Sequence, residues 1–128
     1  MKFMLMMSCP RDGYEQYMKW PKALIEANVV FMREFARKLK DSGELVAAEG
    51  LAAPTQATRV YLGRDRKPVT DGVFPETKEF LAGWWIVDVD GAERAHQIAA
   101  EAAHAPGQGD APLAIEVRRV MQGHDDLG

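Results

Sequence analysis

The sequence is poor in the residues that most often carry chemistry. It contains one cysteine, Cys9, in 128 residues, so it cannot form an internal disulfide, which fits a reducing compartment. No histidine lies near Cys9 in the sequence, which disfavours a nucleophilic role for its thiol. The three histidines include no pair four residues apart, and no second cysteine is present. A zinc site is therefore not expected.

The chain also lacks an excess of positive charge and a long hydrophobic run. Its formal net charge is −3, so nucleic acid is not an expected partner. The apolar start, residues 1–7, breaks at Ser8, Cys9 and Pro10. It is shorter than a signal-peptide core and far shorter than the roughly 20 residues that a membrane span needs. We therefore expect a cytoplasmic protein that does not contact a membrane.

Sequence signatures of common enzyme classes are missing too. We find no glycine loop that would cradle a phosphate, no G-x-S-x-G turn and no basic recognition helix. No cofactor is expected, and the sequence leaves open whether the protein is an enzyme. The composition itself is that of an ordinary globular domain, with 47% hydrophobic and 27% charged residues. We expect a single domain over residues 1–122 and a flexible C-terminal tail over 123–128.

The order of hydrophobic patterns predicts an α+β fold. Apolar or alternating runs predict strands over residues 1–7, 44–52, 57–63, 84–89 and 113–121. Pro21 is expected at the first position of a long helix that ends at Gly43, and Asp90 is expected to cap a second helix over 92–104. Segment 69–79 is expected to be a loop or short hairpin. This order fits a ferredoxin-like β-α-β-β-α-β unit with both helices on one face of an antiparallel sheet.

The strands are apolar on both faces, although the helices can cover only one. In the strand over 84–89, Trp85 alternates with Trp84, so the two indoles are expected on opposite faces of the sheet. Tyr61 and Ile86 are expected beside Trp84 on the face away from the helices, with Arg59 and Arg118 among them. An apolar surface of that size is not normally left in water. We therefore expect a homodimer formed through this face.

Several segments resemble the DGPF-domain proteins of the YCII-related family. The block V-T-D-G-V-F-P-E-T-K-E over 69–79 resembles the signature of that group, although Val73 stands where the signature has proline. K-F-M-L-M near the start, G-E-L after the long helix and E-V-R near the end agree in order. The resemblance covers nearly the whole chain.

The resemblance implies a dimeric α/β-barrel, in which two ferredoxin-like units pack sheet to sheet. Some relatives in the wider family are similar to small-molecule enzymes that use a histidine and an aspartate. No histidine lies near the start of this chain, so that mechanism is in doubt here. Other similar proteins are described as transcription-associated.

Segment 69–79 carries the candidate site. A carboxylate beside a lysine on a sheltered loop can supply an acid and a base, which makes Asp71, Glu76 and Lys78 the candidate catalytic residues. Candidate ligand-binding residues are Asp71, Phe74, Glu76, Lys78, Glu79 and Arg118, with Phe74 anchoring the loop and Arg118 binding an anionic group. A purely structural interpretation remains open: Asp71 and Gly72 form a turn, the loop charges pair with one another, and Arg118 pairs with Glu116 or Asp88.

Two functional hypotheses follow. In the first, the protein binds a small organic acid in a cleft between the sheet and segment 69–79, with or without transforming it. In the second, it is a non-catalytic, dimeric interaction or regulatory protein. An enclosed polar pocket beside the segment would favour the first hypothesis.

Overall fold

A four-stranded antiparallel sheet with helices on one face forms the body of the protein in a computed structural model. The structure describes residues 1–72, 79–107 and 113–123. In chain order the sheet strands are β1 (Lys2–Pro10), β2 (Leu45–Gly50), β5 (Glu79–Asp88) and β6 (Ile115–Arg119). Their order across the sheet is β2-β5-β1-β6, and every neighbouring pair is antiparallel. This is the predicted α+β, ferredoxin-like arrangement.

Two long helices cover one face of the sheet: α2 (Lys22–Asp41) and α3 (Ala92–Ala102), preceded by the short α1 (Gly13–Met18). Phe35 of α2 meets Trp85 of β5 edge-on, with ring centroids 5.5 Å apart. Leu5 and Ile98 are fully buried between the layers. The alanines of α3 let that helix lie close to the sheet because they place little volume between the backbones. The buried core is completed by Phe3, Leu39, Val87, Val89, Ala95, Ala99, Ala102 and Ala105.

The opposite side of the sheet, here called the outer face, carries the side chains that alternate with the buried ones along each strand. Register places Met6 between Trp84 and Glu116, and Met4 between Ile86 and Arg118. Trp84 is half-buried on this face, whereas Trp85 is buried beneath the helices. The prediction that the two tryptophans lie on opposite faces is confirmed.

Helix ends differ from the predictions in detail. Pro21 is not the first helical residue but the extended residue before it (φ −54°, ψ 142°), and its carbonyl accepts the first helical bond from Leu24. Asp90 does not cap α3, because Gly91 occupies the cap position and no side chain bonds there. Ala92, the first residue of α3, is exposed, since it lies before the first buried turn of the helix. Gly43 takes the predicted left-handed conformation, with φ 79°.

The middle of the chain forms a separate two-stranded hairpin, which corrects the placement of Arg59 and Tyr61. Among the residues that the structure describes, strands β3 (Arg59–Leu62) and β4 (Pro68–Asp71) pair only with each other. Arg59 and Tyr61 therefore do not lie on the outer face of the main sheet. Their strand alternates convincingly, but alternation gives a strand's faces and not its partners. A short 3-10 helix, Pro54–Gln56, connects β2 to this hairpin.

A bidentate ion pair ties α3 to the start of β2. Glu44 accepts hydrogen bonds from Arg94 Nε at 2.7 Å and from Arg94 Nη2 at 2.9 Å, and a third from Ser42 Oγ at 2.8 Å. These donors lower the pKa of Glu44 to about 2, chiefly through the hydrogen bonds from Arg94. Glu44 belongs to the G-E-L segment noted in the sequence, and its place in the fold gives it a structural role.

Candidate ligand-binding groove

A hollow of about 830 Å³ lies where β1 ends and β5 begins. Pairing between these strands shifts there: Met7 is opposite Gly83, but Ser8 is opposite Leu81, so Ala82 is an extra residue in β5. The Ala82 carbonyl accepts a hydrogen bond from the amide of Leu51, 2.8 Å away, beyond the end of β2. Such bulges bend a strand and redirect its side chains, and they recur beside binding sites.

An aromatic wall forms one side of this hollow. The Tyr17 and Trp20 rings are 4.9 Å apart between centroids and tilted by 57°. The Trp20 ring packs directly against Gly107, where a Cβ atom would overlap it and where φ is 97°. Asn28 Nδ2 donates a 3.0 Å hydrogen bond to the Pro106 carbonyl beside that contact. The loop after α3 is thereby fixed to the start of α2, which positions Trp20.

We call the hollow the end groove and define it by the residues that line it. Its volume is about 830 Å³. The lining combines aromatic, apolar, sulfur-bearing and acidic side chains. These are Tyr14, Tyr17, Trp20, Leu51, Leu81, Leu113, Ile115, Met6, Met7, Cys9, Glu79 and Glu116, and the lining also includes Ser8, Pro10, Gly13, Gln16, Ala52, Pro54, Ala82, Gly107 and Ala114. A volume of this order is enough for a metabolite-sized ligand, since such pockets typically span about 300–1,000 Å³.

A smaller hollow of about 290 Å³ lies between α3 and β6. His96 borders it, together with alanines at the C-terminal end of α3. Three apolar side chains complete its lining: Leu113, which precedes β6, and Ile115 and Val117 within β6. With one titratable side chain among apolar neighbours, this hollow offers a ligand little to recognise. The end groove is the better candidate because its volume is larger and its lining includes carboxylates, phenols and a thiol.

Among the described residues that line the end groove, the charged side chains are two carboxylates. Glu79 begins β5 opposite Pro10, and Glu116 lies opposite Met6 on β6, so they stand at different sides of the groove. Both side chains are exposed, which leaves them hydrated and available to a ligand. Cys9 lies between them on β1, and its burial raises the pKa of its thiol. A thiol with a raised pKa remains protonated near neutral pH, so Cys9 acts here as an apolar lining residue.

The structure brings together only part of the predicted site. Glu79 lines the end groove, but Asp71 and Arg118 do not. Asp71 is exposed at the end of β4, where its Oδ1 accepts a 2.8 Å hydrogen bond from the amide of Gly72. Arg118 is exposed on the outer face, opposite Met4. The remaining three candidates, Phe74, Glu76 and Lys78, lie outside the described residues, as does the C-terminal tail from residue 124 onward.

The Arg118 pairings suggested by the sequence also differ from the contacts observed. Asp88 accepts a hydrogen bond from the terminal amine of Met1 at 3.1 Å, and that amine also bonds to the Val89 carbonyl. Register places Lys2, and not Arg118, opposite Asp88. Sequence spacing could not reveal this because the register depends on how β1 pairs with both of its neighbours.

The aromatic wall was missed by the sequence analysis. Tyr14, Tyr17 and Trp20 recur every three residues in an otherwise polar segment, a spacing that places them along one side of a helical turn. Gly13 lets this turn approach β1, since a Cβ atom there would lie 3.0 Å from Cys9 Cβ. The recurrence of aromatics between Gly13 and Pro21 was the available signal. Its value depended on knowing that the segment folds back over the end of the sheet.

Residues 1–72, 79–107 and 113–123 contain no cluster of three or more side chains that could hold a metal ion. No helix within the same ranges is long and apolar enough to cross a membrane. His96 and His104 are both exposed.

Comparison with known proteins bears on the whole domain. The model of the YCII-related domain family matches residues 1–121, which is nearly the full length of the chain. No curated protein matches it.

Proposed function

The chain belongs to the family of YCII-related domains, and we propose that it is a small-molecule-binding protein whose ligand lies in the end groove. The observation that carries this proposal is the combination of a volume of about 830 Å³ with an aromatic wall and two carboxylates. The wall is supported from behind by the Gly107 contact and by the hydrogen bond from Asn28 to Pro106. A supported wall favours binding, because less conformational freedom is lost when the ligand arrives.

The lining indicates which ligand chemistry the groove would accept. Tyr14, Tyr17 and Trp20 offer planar apolar surfaces together with hydrogen-bonding groups at their edges. An organic acid, the ligand class expected from the sequence, also needs a cation. Lys78 directly precedes Glu79 in the sequence, and we propose it as that cation. Proton transfer by Asp71, Glu76 or Lys78 remains part of the proposal.

We also propose that the protein functions as a homodimer formed through the outer face. Met4, Met6, Trp84 and Ile86 form adjacent rows there, and all four are half-buried in the single chain. Covering them with a second copy would remove their remaining apolar surface from water at roughly 25 cal/mol per Å². Sedimentation equilibrium at micromolar concentration is expected to give about twice the chain mass of 14.2 kDa. A monomeric mass would contradict this part of the proposal.

A second candidate function is that of a non-catalytic interaction protein in a regulatory assembly. The observation that favours it is the hairpin of β3 and β4, in which only Arg59 is not exposed. Exposed apolar strands are typical of surfaces that contact another protein. The ligand experiment below separates the two candidates, because an interaction protein has no need of a ligand in the end groove.

The test is a thermal-shift screen of the purified protein against a library of metabolites that includes small organic acids. A ligand that binds only the folded state raises the melting temperature. Compounds that do so are then measured by calorimetry against two variants. Tyr14→Ala removes an aromatic side chain of the groove, and we expect it to weaken binding about tenfold, or about 1.4 kcal/mol.

Val30→Ala is the matched control, because Val30 is an exposed apolar residue of α2 that does not line the groove. It is expected to leave the affinity within about twofold of the original, under 0.5 kcal/mol. The proposal fails if no compound stabilises the protein. It also fails if the compounds that do stabilise it bind both variants equally well, since they would then bind elsewhere.

A further inference from the structure

The hairpin of β3 and β4 exposes apolar side chains on both of its faces. Register pairs Val60 with Thr70 and Leu62 with Pro68 on one face, and Tyr61 with Val69 on the other. Val60 is 63% exposed and Leu62 is 70% exposed. An isolated two-stranded hairpin is marginally stable in water, and it gains stability when an apolar face packs against something else. These exposures show that the Val60 and Leu62 side chains are not covered by the described part of the chain.

The tip of the hairpin is a tightly bonded cationic turn. The Gly63 amide donates to the Lys67 carbonyl at 2.8 Å, and the Arg66 amide donates to the Gly63 carbonyl at 2.9 Å. The Lys67 amide donates a hydrogen bond to Asp65 Oδ1 at 3.0 Å, and Asp65 is the one acidic residue of the turn. Arg64, Arg66 and Lys67 are all exposed. The turn therefore presents three cations to its surroundings from a fixed backbone.

Arg66 has a backbone conformation that arginine rarely adopts. Its φ is 66°, and it is the one non-glycine residue with positive φ in the described part of the chain. Glycine would take this conformation without steric cost. The turn between Gly63 and Lys67 sets this conformation, and it leaves the Arg66 side chain exposed at the tip of the hairpin.

The outer face of the sheet has the complementary character. Register places Glu49, Trp84, Met6 and Glu116 in one row across the four strands. The centre of this row is apolar, and its two ends are exposed carboxylates. An apolar hairpin with a cationic tip matches an apolar row with acidic ends. A nucleic acid would match the cations of the tip but not the exposed Val60 and Leu62.

We propose that in the homodimer the hairpin of each copy docks on the outer face of the other. Its apolar strands would contact the Met6 and Trp84 row, and its cationic tip would lie near Glu49 or Glu116. This inference rests on the homodimer proposed above and adds how the two copies hold each other. Because the contact joins two different surfaces, a two-fold dimer contains it twice.

The test uses two charge-reversed variants that are studied separately and then mixed. The hairpin variant is Arg64→Glu with Lys67→Glu, which leaves Arg66 and its backbone unchanged. The face variant is Glu49→Lys with Glu116→Lys. Sedimentation velocity and native mass spectrometry give the dimer dissociation constant of each sample, and circular dichroism checks that each variant is folded.

Each variant alone is expected to weaken the dimer at least tenfold, because both of its contacts then join like charges. An equal mixture is expected to form heterodimers with a dissociation constant within about threefold of the wild type, since both contacts again join opposite charges. A matched control, Lys22→Glu with Lys40→Glu, makes the same change in net charge on exposed positions of α2. It is expected to leave the dimer unchanged.

The possible failures are distinguishable. A wild-type chain that stays monomeric overturns both the homodimer and this inference. A wild-type dimer that neither variant weakens, or a mixture that forms no heterodimer, overturns the inference and leaves the homodimer standing. Hydrogen exchange of the wild-type protein gives a test without substitutions: the amides of Val60 and Leu62 should be better protected at concentrations where the dimer forms, and equal protection in monomer and dimer overturns the inference.

Discussion

Replacing Glu44 with glutamine tests the ion pair that joins α3 to β2. The substitution keeps the size of the side chain and an oxygen that can accept from Ser42, but it removes the charge that Arg94 faces. The backbone bond from the Asp88 amide to the Glu44 carbonyl, 2.8 Å long, does not depend on the side chain. The change therefore reports on the charge–charge contact with little effect on the surrounding structure.

The magnitude follows from the pKa of Glu44, which is lowered from 4.5 to about 2. At 1.36 kcal/mol per unit, this difference sets a ceiling of about 3.4 kcal/mol on the stability that the charge contributes. The side chains of Glu44 and Arg94 are 19% and 42% exposed, so water screens their attraction. The measured contributions of solvent-exposed ion pairs to stability lie well below such a ceiling. We expect Glu44→Gln to lower the free energy of unfolding by about 1–2 kcal/mol at pH 7.

The pH dependence has a definite sign. Because the pKa is lower in the folded protein, the contribution of Glu44 is fully present above pH 4.5 and is lost as the pH falls toward 2. Urea unfolding followed by circular dichroism, at pH 7 and at several values down to pH 3, measures it. The difference between wild type and Glu44→Gln should shrink as the pH falls. A difference that is below about 0.3 kcal/mol at pH 7, or that does not change with pH, would refute this reasoning.

Three further predictions concern the core, the groove wall and the hairpin end. Leu5→Ala removes a fully buried side chain and should cost roughly 3–5 kcal/mol in urea unfolding, against under about 0.5 kcal/mol for the exposed Val30→Ala; a loss below 1 kcal/mol would contradict the packing described. Gly107→Ala should displace the Trp20 ring and shift its fluorescence, with about 1 kcal/mol or more lost to the positive φ; an unchanged spectrum would contradict the contact. Asp71 does not line the end groove, but it accepts the Gly72 amide at the start of the segment that leads to Lys78 and Glu79; Asp71→Ala should therefore weaken a groove ligand through that segment while the sedimentation mass stays unchanged, and an unchanged affinity or a lost dimer would contradict this role.

Much of the fold could be predicted because its strongest signals are local. The apolar run of β1 and the adjacent Trp84 and Trp85 indicate strands. In a strand the side-chain period is two residues, so adjacent side chains point to opposite faces of the sheet. The spacing of Phe35 and Leu39 in α2, and of Ala95, Ile98 and Ala102 in α3, requires helices packed on one side. Helix, strand and face follow from residues close together in the chain.

The candidate site was only partly predictable, for a physical reason. Glu79 was identified by its motif and does line the end groove, but Tyr14, Tyr17 and Trp20 reach it from a segment more than fifty residues earlier. No local pattern reports that approach. It depends on Gly13 fitting against Cys9 and on the loop at Gly107 fitting against the Trp20 ring.

The same division applies to Arg59 and Tyr61. The amino-acid pattern alone was enough to make their segment a strand, because alternation is a property of neighbouring residues. Which strand it pairs with was decided by the tertiary structure. In the main sheet β2 and β6 each have an unpaired edge among the described residues, yet β3 bonds to β4 across the turn between Gly63 and Lys67. Alternation defines the two faces of a strand and not its hydrogen-bonding partner, so the sequence pattern alone left this pairing open.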